Sequence, residues 1–348
     1  MRSVRVNQSL GRPSWVLQQL APIHFNTQNN TMGCNGSKTA EVKDTSNKDN
    51  HQRMSDKQGS TPLLVSANWL AEKFNDGTVG DIRILDVSWH MPQTQRDAAA
   101  EYKDKHIPGA LFLDLNTCRD TSSELEMMLP SADTFADSVG KLGVTNDTHV
   151  VLYDNNDKLG MFSAPRAWYT FRVFGHAKVS ILNGGLPKWI AEDQPTTDEI
   201  QEVESITYTP AMRKDLVKDR EDVESNISEK RYTLVDARPP GRFKGEDPEP
   251  VPNIKPGHIK GSVNIPFTKT LNPDTKLLKE PDQLRAIFKE NDVDLSKPVT
   301  FVCGTGLTAS ILALAAHYIA KVDVPIYDGA WMEWFLKADA DTMENVPE

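Results

Sequence analysis

The chain of 348 residues is long enough for two ordinary domains and a tail, and its 38% hydrophobic and 25% charged residues are typical of a globular protein. A formal net charge of −10 argues against nucleic acid as the main ligand, because phosphate binding needs a basic face. No apolar run approaches the roughly 20 residues that cross a bilayer, so no membrane partner is expected.

Cysteine and histidine usage restricts the chemistry further. The three cysteines, Cys34, Cys118 and Cys303, form no CxxC pair and cannot all pair within one chain. A secreted disulfide scaffold and a zinc module are therefore disfavoured, and a reducing compartment is favoured. The eight histidines include no His-Glu-x-x-His motif, and we expect no metal.

The first 60 residues are predicted to be a disordered tail or a targeting segment, because they are polar and show no sustained periodicity. Arginines occur before the first acid, Glu41, which suits a mitochondrial transit peptide as well as a plain extension. The segment Met32-Gly-Cys-Asn-Gly-Ser37 matches a myristoylation pattern that would act only if translation began at Met32, and we interpret it as a chance match. The expected location is mitochondrial or cytoplasmic.

Buried strands and amphipathic helices alternate along the rest of the chain, which predicts an α/β fold with parallel sheets flanked by helices on both faces. The predicted strands are Ile82–Val87, Val150–Tyr153, Lys178–Leu182, Thr233–Asp236, Val299–Val302 and Pro325–Tyr327. The predicted helices include Ser66–Phe74, Ala132–Leu142, Ala164–Phe174 and Ala309–Ala320.

An internal repeat organises these elements. Asp86 and Asp236 end similar strands, His106-Ile-Pro-Gly corresponds to His258-Ile-Lys-Gly, and the strand before Asp154 corresponds to the strand before Cys303. The nearly constant offset indicates a duplicated domain. We predict a non-catalytic copy over residues 61–200, a linker over 201–222 and a catalytic copy over 223–340.

The loop after the strand Val299–Val302 carries the strongest chemical signal. Cys303 ends the strand, Gly304-Thr-Gly-Leu-Thr308 follows, and an Ala-rich helix begins at Ala309. A strand, a tight loop and a helix N-terminus together concentrate free backbone N–H groups on one spot, and the glycines let the backbone curl. The position is expected to favour a reactive thiolate at Cys303.

This loop and the tandem repeat resemble the rhodanese superfamily, and the resemblance runs from about Leu63 to Phe335. Further matching segments are Met128-Leu-Pro130, Phe171-Arg-Val-Phe-Gly-His176, Gly241-Arg-Phe243, Asp247-Pro-Glu-Pro250 and Pro325-Ile-Tyr-Asp-Gly329. The resemblance implies two tandem rhodanese-like domains, a Cys303 persulfide intermediate and no cofactor. It also implies a small anionic sulfur donor and a thiol acceptor such as thioredoxin or glutathione, or cyanide. The first copy has Asp154 where the second has Cys303.

The loop also bears on the sulfur donor. Thiosulfate enzymes of the family resemble Cys-Arg-Lys-Gly and mercaptopyruvate enzymes resemble Cys-Gly-Ser-Gly, whereas this chain has Cys303-Gly-Thr-Gly306. The uncharged loop favours mercaptopyruvate, with thiosulfate as the alternative, because the thiosulfate dianion favours nearby cations. The resemblance implies a catalytic role for Cys303 and Thr305. It implies substrate binding by Arg242, which would hold the donor carboxylate, and by Gly304, Gly306, Leu307 and Thr308.

Three positions depart from the mercaptopyruvate pattern. Val251 stands where a second substrate arginine is found, and Asn116 and Met127 stand where an Asp and a His have been proposed to transfer protons. Another cation such as Lys255, or loose donor selectivity, would accommodate these differences.

Two other functions fit the sequence less well. A Cys-x5-Arg phosphatase would need an arginine where this chain has Ala309. A non-catalytic interaction module is predicted to lack the thiol in both copies, whereas Cys303 is present.

Overall fold

Two five-stranded parallel sheets of the same topology form the framework of the protein. A computed structural model describes residues 61–347, so the predicted tail with its transit-peptide and myristoylation patterns lies outside the described residues. The strand order is β1-β5-β4-β2-β3 in the first sheet and β6-β11-β10-β7-β9 in the second. Each strand therefore has a counterpart in the other sheet, which confirms the fold class and the repeat predicted from the sequence.

The first sheet contains β1 (Leu64–Val65), β2 (Ile82–Asp86), β3 (Leu111–Phe112), β4 (His149–Tyr153) and β5 (Val179–Leu182). Its helices are α1 (Ala67–Asn75), α2 (Ala98–Asp104), α3 (Ala132–Gly140), α4 (Ala164–Val173) and α5 (Gly185–Ala191). Polar caps begin three of them: the side chains of Ser66, Asp97 and Ser131 accept hydrogen bonds from amides in the first turn.

The second sheet contains β6 (Val217–Lys218), β7 (Thr233–Asp236), β9 (Val263–Asn264), β10 (Val299–Val302) and β11 (Ile326–Tyr327). Its helices are α6 (Arg220–Glu229), α7 (Pro240–Phe243), α8 (Pro281–Glu290), α9 (Ala309–Ala320) and α10 (Ala330–Lys337). A separate antiparallel pair joins β8 (His258–Ile259) to β12 (Met343–Glu344).

The segment between α5 and β6 runs along the first sheet's helices and carries neither a strand nor an α-helix. Thr197 forms an isolated antiparallel bridge with His106, and the buried Tyr208 ring packs edge-on against Phe135. β6 then pairs with β11, so the second sheet begins at Val217.

Helices α4 and α9 pack against each other where the two domains meet, and one hydrophobic cluster contains residues of both sheets. Asp323, beyond α9, accepts hydrogen bonds from Arg172 of α4 and from Arg213, and it also pairs with His317. Although burial opposes ionisation, these three partners hold the pKa of Asp323 well below its usual value. Among the described residues, no helix is long and apolar enough to cross a membrane.

Candidate functional site

Cys303 stands at the carboxyl edge of the second sheet, between the end of β10 and the start of α9. None of the five amide N–H groups of residues 304–308 donates a hydrogen bond to any other residue in the described range 61–347. The loop is held through its carbonyl groups instead. The carbonyl of Gly306 accepts a hydrogen bond from Ser310 Oγ, and the carbonyls of Cys303 and Gly304 accept from the amides of Trp331 and Met332. A row of open donors beside a thiol is an arrangement that binds a negative charge.

The equivalent position in the first domain holds a carboxyl group that accepts hydrogen bonds from the loop amides. Asp154 follows β4, is 1% exposed, and accepts hydrogen bonds from the amides of Asn156, Phe162 and Ala164. Burial raises the pKa of Asp154, while the three amides oppose that shift. The same strand–loop–helix geometry thus directs amides onto a carboxylate in one copy and leaves them open beside Cys303 in the other.

The two loop positions Gly304 and Gly306 differ in whether the backbone conformation requires glycine. Gly306 has φ +82, and a Cβ built on it would lie 3.0 Å from Nη1 of Arg166. Gly304 has no positive φ, and a Cβ there would meet its nearest neighbours, Glu249 and Arg238, at 3.9 and 4.0 Å. The backbone conformation therefore requires glycine only at position 306. At position 304 glycine leaves the cavity wall without a side chain.

A cavity of about 800 Å³ opens over the loop and is lined by both domains. Cys303 is part of its wall although the residue is only 1% exposed. Of the site residues predicted from the sequence, Cys303, Thr305, Arg242, Gly304, Leu307 and Thr308 line this cavity. Gly306 does not, and its role is conformational.

Two of the four arginine and lysine side chains in the cavity wall are already paired with carboxylates. The Arg238 guanidinium donates to both oxygens of Asp236, at 3.0 and 3.1 Å from Nε, and to Glu249 at 2.8 Å. Arg96 donates to Glu101 at 2.6 Å and to Asp157 at 2.8 Å. Among residues 61–347, neither Arg242 nor Lys158 forms an ion pair, and both line the cavity. They are the cations available to an anionic ligand there.

The position of Arg242 is fixed by its short helix. The Phe243 ring stacks on the imidazole of His258, with ring centroids 3.8 Å apart and an angle of 11° between the planes. His258 Nδ1 donates to the carbonyl of Phe243 at 2.8 Å. Because β8 carries His258, the second domain holds α7 and Arg242 at the cavity wall.

The first domain supplies much of the wall, and sequence reasoning did not identify these residues. Trp89 and His90 follow β2 at the carboxyl edge of the first sheet, and Phe162 lies in the loop after β4. The available signal was their position just after predicted strands, since ligand sites in parallel sheets lie at that edge. Arg238 and Glu249 of the second domain were missed as well.

The departures from the mercaptopyruvate pattern occupy different places. Val251 lines the cavity with Cys303. Asn116 and Met127 instead line an adjoining cavity of about 520 Å³, and Asn116 Oδ1 accepts a hydrogen bond from Trp89 Nε1. Lys255, considered as a substitute cation, donates to the carbonyl of Pro347 and is not part of the cavity wall.

Across residues 61–347, no cluster of three or more His, Cys, Asp or Glu side chains is arranged to hold a metal ion. Cys118 is buried within the first domain's core, and burial raises the pKa of its thiol to about 11. Cys303 is thus the described cysteine placed at a cavity.

Comparisons with known proteins agree with this geometry. The family model described as "Rhodanese-like domain" matches residues 66–192 and 219–337. The chain is 49% identical over 281 residues to thiosulfate sulfurtransferase from Rattus norvegicus, covering 80% of this chain and 94% of the relative. It is 45% identical over 276 residues to 3-mercaptopyruvate sulfurtransferase from Homo sapiens, covering 79% and 92%. A crystal structure of the 3-mercaptopyruvate sulfotransferase SseA from Escherichia coli superposes with a TM-score of 0.69 at 38% identity, covering 78% of this chain and 99% of that chain.

Proposed function

The chain belongs to the rhodanese-like family and is a sulfurtransferase, and we propose that it moves sulfur from 3-mercaptopyruvate to a thiol or cyanide through a persulfide on Cys303. The observation that carries this proposal is the row of open amides beside Cys303 at the cavity between the domains. The amides stabilise the attacking thiolate and then the persulfide anion.

The reaction proceeds in two covalent half-reactions. The Cys303 thiolate attacks the sulfur of mercaptopyruvate, the carbon–sulfur bond breaks, and its electron pair leaves with the pyruvate enolate. The Thr305 hydroxyl and the loop amides stabilise the charge that develops on the leaving group. A second thiolate, or cyanide, then attacks the outer sulfur of the persulfide and releases Cys303.

Arg242 is assigned to the donor carboxylate. It lines the cavity, and it has no ion pair within residues 61–347, whereas Arg96 and Arg238 are neutralised by carboxylates. Lys158 reaches the same cavity from the first domain and is a candidate second cation in place of Lys255. A guanidinium binds a carboxylate through two parallel hydrogen bonds, which fixes the donor's orientation.

The uncharged loop favours mercaptopyruvate over thiosulfate. Gly304 and Thr305 place no cation beside Cys303, whereas the compact thiosulfate dianion favours nearby cations. The alternative, thiosulfate, is favoured by the 49% identity to a thiosulfate sulfurtransferase and by Asn116 and Met127, and Val251 also departs from the mercaptopyruvate pattern. Relatives named for each donor are similar to this chain at nearly equal levels, so the loop chemistry decides the proposal.

The acceptor is proposed to be thioredoxin or glutathione, in a mitochondrial or cytoplasmic setting. A small or flexible thiol suits an enclosed Cys303, because the outer persulfide sulfur extends into the cavity while the residue itself is 1% exposed.

Kinetics with the two donors side by side, with cyanide as common acceptor, test the proposal. We expect the higher kcat/KM with mercaptopyruvate, and a higher kcat/KM with thiosulfate would overturn the donor assignment. Cys303→Ser should remove turnover with both donors without unfolding the protein. Arg242→Ala should lower kcat/KM for mercaptopyruvate about 10- to 100-fold, as expected for a lost charged hydrogen bond. The matched control, Lys255→Ala, removes a cation outside the cavity and should leave that value near wild type.

A further inference from the structure

A histidine that is hydrogen-bonded to a carboxylate lines the active-site cavity from the first domain. His90 follows β2, and it lines the same cavity as Cys303. Its side chain is only 4% exposed, and Nε2 lies 3.0 Å from Oε2 of Glu101. A titratable ring enclosed at the wall of a reaction cavity is a candidate for proton transfer.

Glu101 is held in its ionised form. Arg96 donates to its two oxygens from Nε and Nη2 at 2.6 and 2.7 Å, and Asn155 Nδ2 donates to Oε2 at 2.9 Å. Burial opposes ionisation, but hydrogen bonds from Arg96 and His90 hold the pKa of Glu101 below its ordinary value. An ionised Glu101 accepts hydrogen bonds only, so His90 Nε2 carries a proton and donates it.

The second ring nitrogen of His90, Nδ1, is available for proton transfer. Nδ1 has no hydrogen-bond partner anywhere in residues 61–347. With Nε2 fixed by Glu101, Nδ1 accepts a proton in the neutral ring and donates one in the charged ring, as in other histidine–carboxylate pairs.

We propose that His90 carries the proton that the mercaptopyruvate half-reaction must move, an inference that rests on the function proposed above. Attack by the Cys303 thiolate forms the S–S bond, breaks the C–S bond, and yields Cys303–S–SH and the pyruvate enolate. His90 Nδ1 takes the proton from the persulfide, leaving the persulfide anion at the loop amides. The charged ring then gives this proton to carbon 3 of the enolate, which completes pyruvate and returns His90 to its neutral form.

His90 also borders the second cavity. His90, Trp89, Arg96 and Glu126 line both the cavity with Cys303 and the adjoining one of about 520 Å³. His90 therefore lies in the wall that the two cavities share. Discharge of the persulfide by cyanide needs no such proton, because cyanide takes neutral sulfur and leaves the Cys303 thiolate.

Single-turnover kinetics on the full chain separate the two half-reactions. We would compare His90→Gln, Glu101→Gln and the matched control His149→Gln, since His149 belongs to the same domain and lies outside both cavities. The first readout is the rate of pyruvate release when mercaptopyruvate is mixed with free enzyme. The second is the rate of thiocyanate formation when cyanide is mixed with persulfide-loaded enzyme.

For His90→Gln we expect the ratio of the first rate to the second to fall about 100-fold or more, the usual contribution of general acid–base catalysis. Glu101→Gln should lower the same ratio by a smaller factor, and it keeps the test valid should His90→Gln fail to fold. His149→Gln should leave the ratio at the wild-type value. A wild-type ratio in both His90→Gln and Glu101→Gln would overturn the role of His90, whereas a wild-type enzyme that releases no pyruvate would overturn the proposed function and this inference with it.

Discussion

Replacing each loop glycine by alanine separates a conformational requirement from a spatial one. At Gly306 the backbone has φ +82, a left-handed conformation that costs a residue with a Cβ roughly 1–2 kcal/mol. The new methyl group would also lie 3.0 Å from Arg166 Nη1, tighter than ordinary contact. Gly304 has no positive φ, and its nearest neighbours would be at ordinary contact distance.

We therefore expect Gly306→Ala to lower the free energy of unfolding by about 1–2 kcal/mol, and Gly304→Ala to stay within about 0.5 kcal/mol of the wild type. Urea unfolding followed by tryptophan fluorescence measures both, with the slopes checked for equality. Gly306→Ala should also lower kcat about 100-fold, because a shift of the loop misplaces the amides relative to Cys303.

Equal unfolding free energies for the two variants would refute this reasoning, because both the positive φ and the close contact with Arg166 occur at Gly306 and not at Gly304. A fully active Gly306→Ala enzyme would show that the loop amides do not need their observed placement.

Three further outcomes follow from the structure. Iodoacetamide at neutral pH should label Cys303 but not Cys118, whose thiol becomes reactive only as the pH approaches its raised pKa of about 11; peptide mass mapping distinguishes them. Arg166→Met should lower the free energy of unfolding by about 3–5 kcal/mol, because it leaves Asp328 buried without the guanidinium that now pairs with it at 2.7 Å, and an unchanged denaturation midpoint would contradict this. Asp323 has a depressed folded pKa, so it stabilises the protein above its ordinary pKa of about 4, and this contribution is lost as the pH falls toward the folded value. Below about pH 4, the free energy of unfolding of Asp323→Asn should therefore depend less on pH than that of the wild type. Equal dependence on pH in the two proteins would contradict the depressed pKa of Asp323.

The first domain does more than repeat the second without its thiol. Arg166 of α4 donates from Nη2 to Asp328 beyond β11 and to the carbonyl of Met127, and Asp328 also accepts the amide proton of Leu129. Arg166 Nη1 is buried beside Gly306 and finds no acceptor in the described range. The first domain thus packs against the Cys303 loop through Arg166. Its loops after β2 and β4 form another part of the cavity wall.

Local patterns in the sequence determined the fold class and the repeat, and they predicted the Cys303 loop as the candidate site. Strand Val299–Val302 and helix Ala309–Ala320 occur at the predicted residues, because continuous apolar runs of those lengths have few other ways to be buried. The substitution of Asp154 for the thiol is also visible without a structure, since the two strands before these positions align by their hydrophobic pattern.

Only the tertiary structure decided which residues surround Cys303. His90 and Arg242 come from different domains, and the pairing of Arg96 with Asp157 and of Arg238 with Glu249 determines which cations are available to substrate. No local pattern encodes these relationships. Parallel strands bring the ends of distant segments to one edge, and a cation's availability depends on partners that folding places next to it.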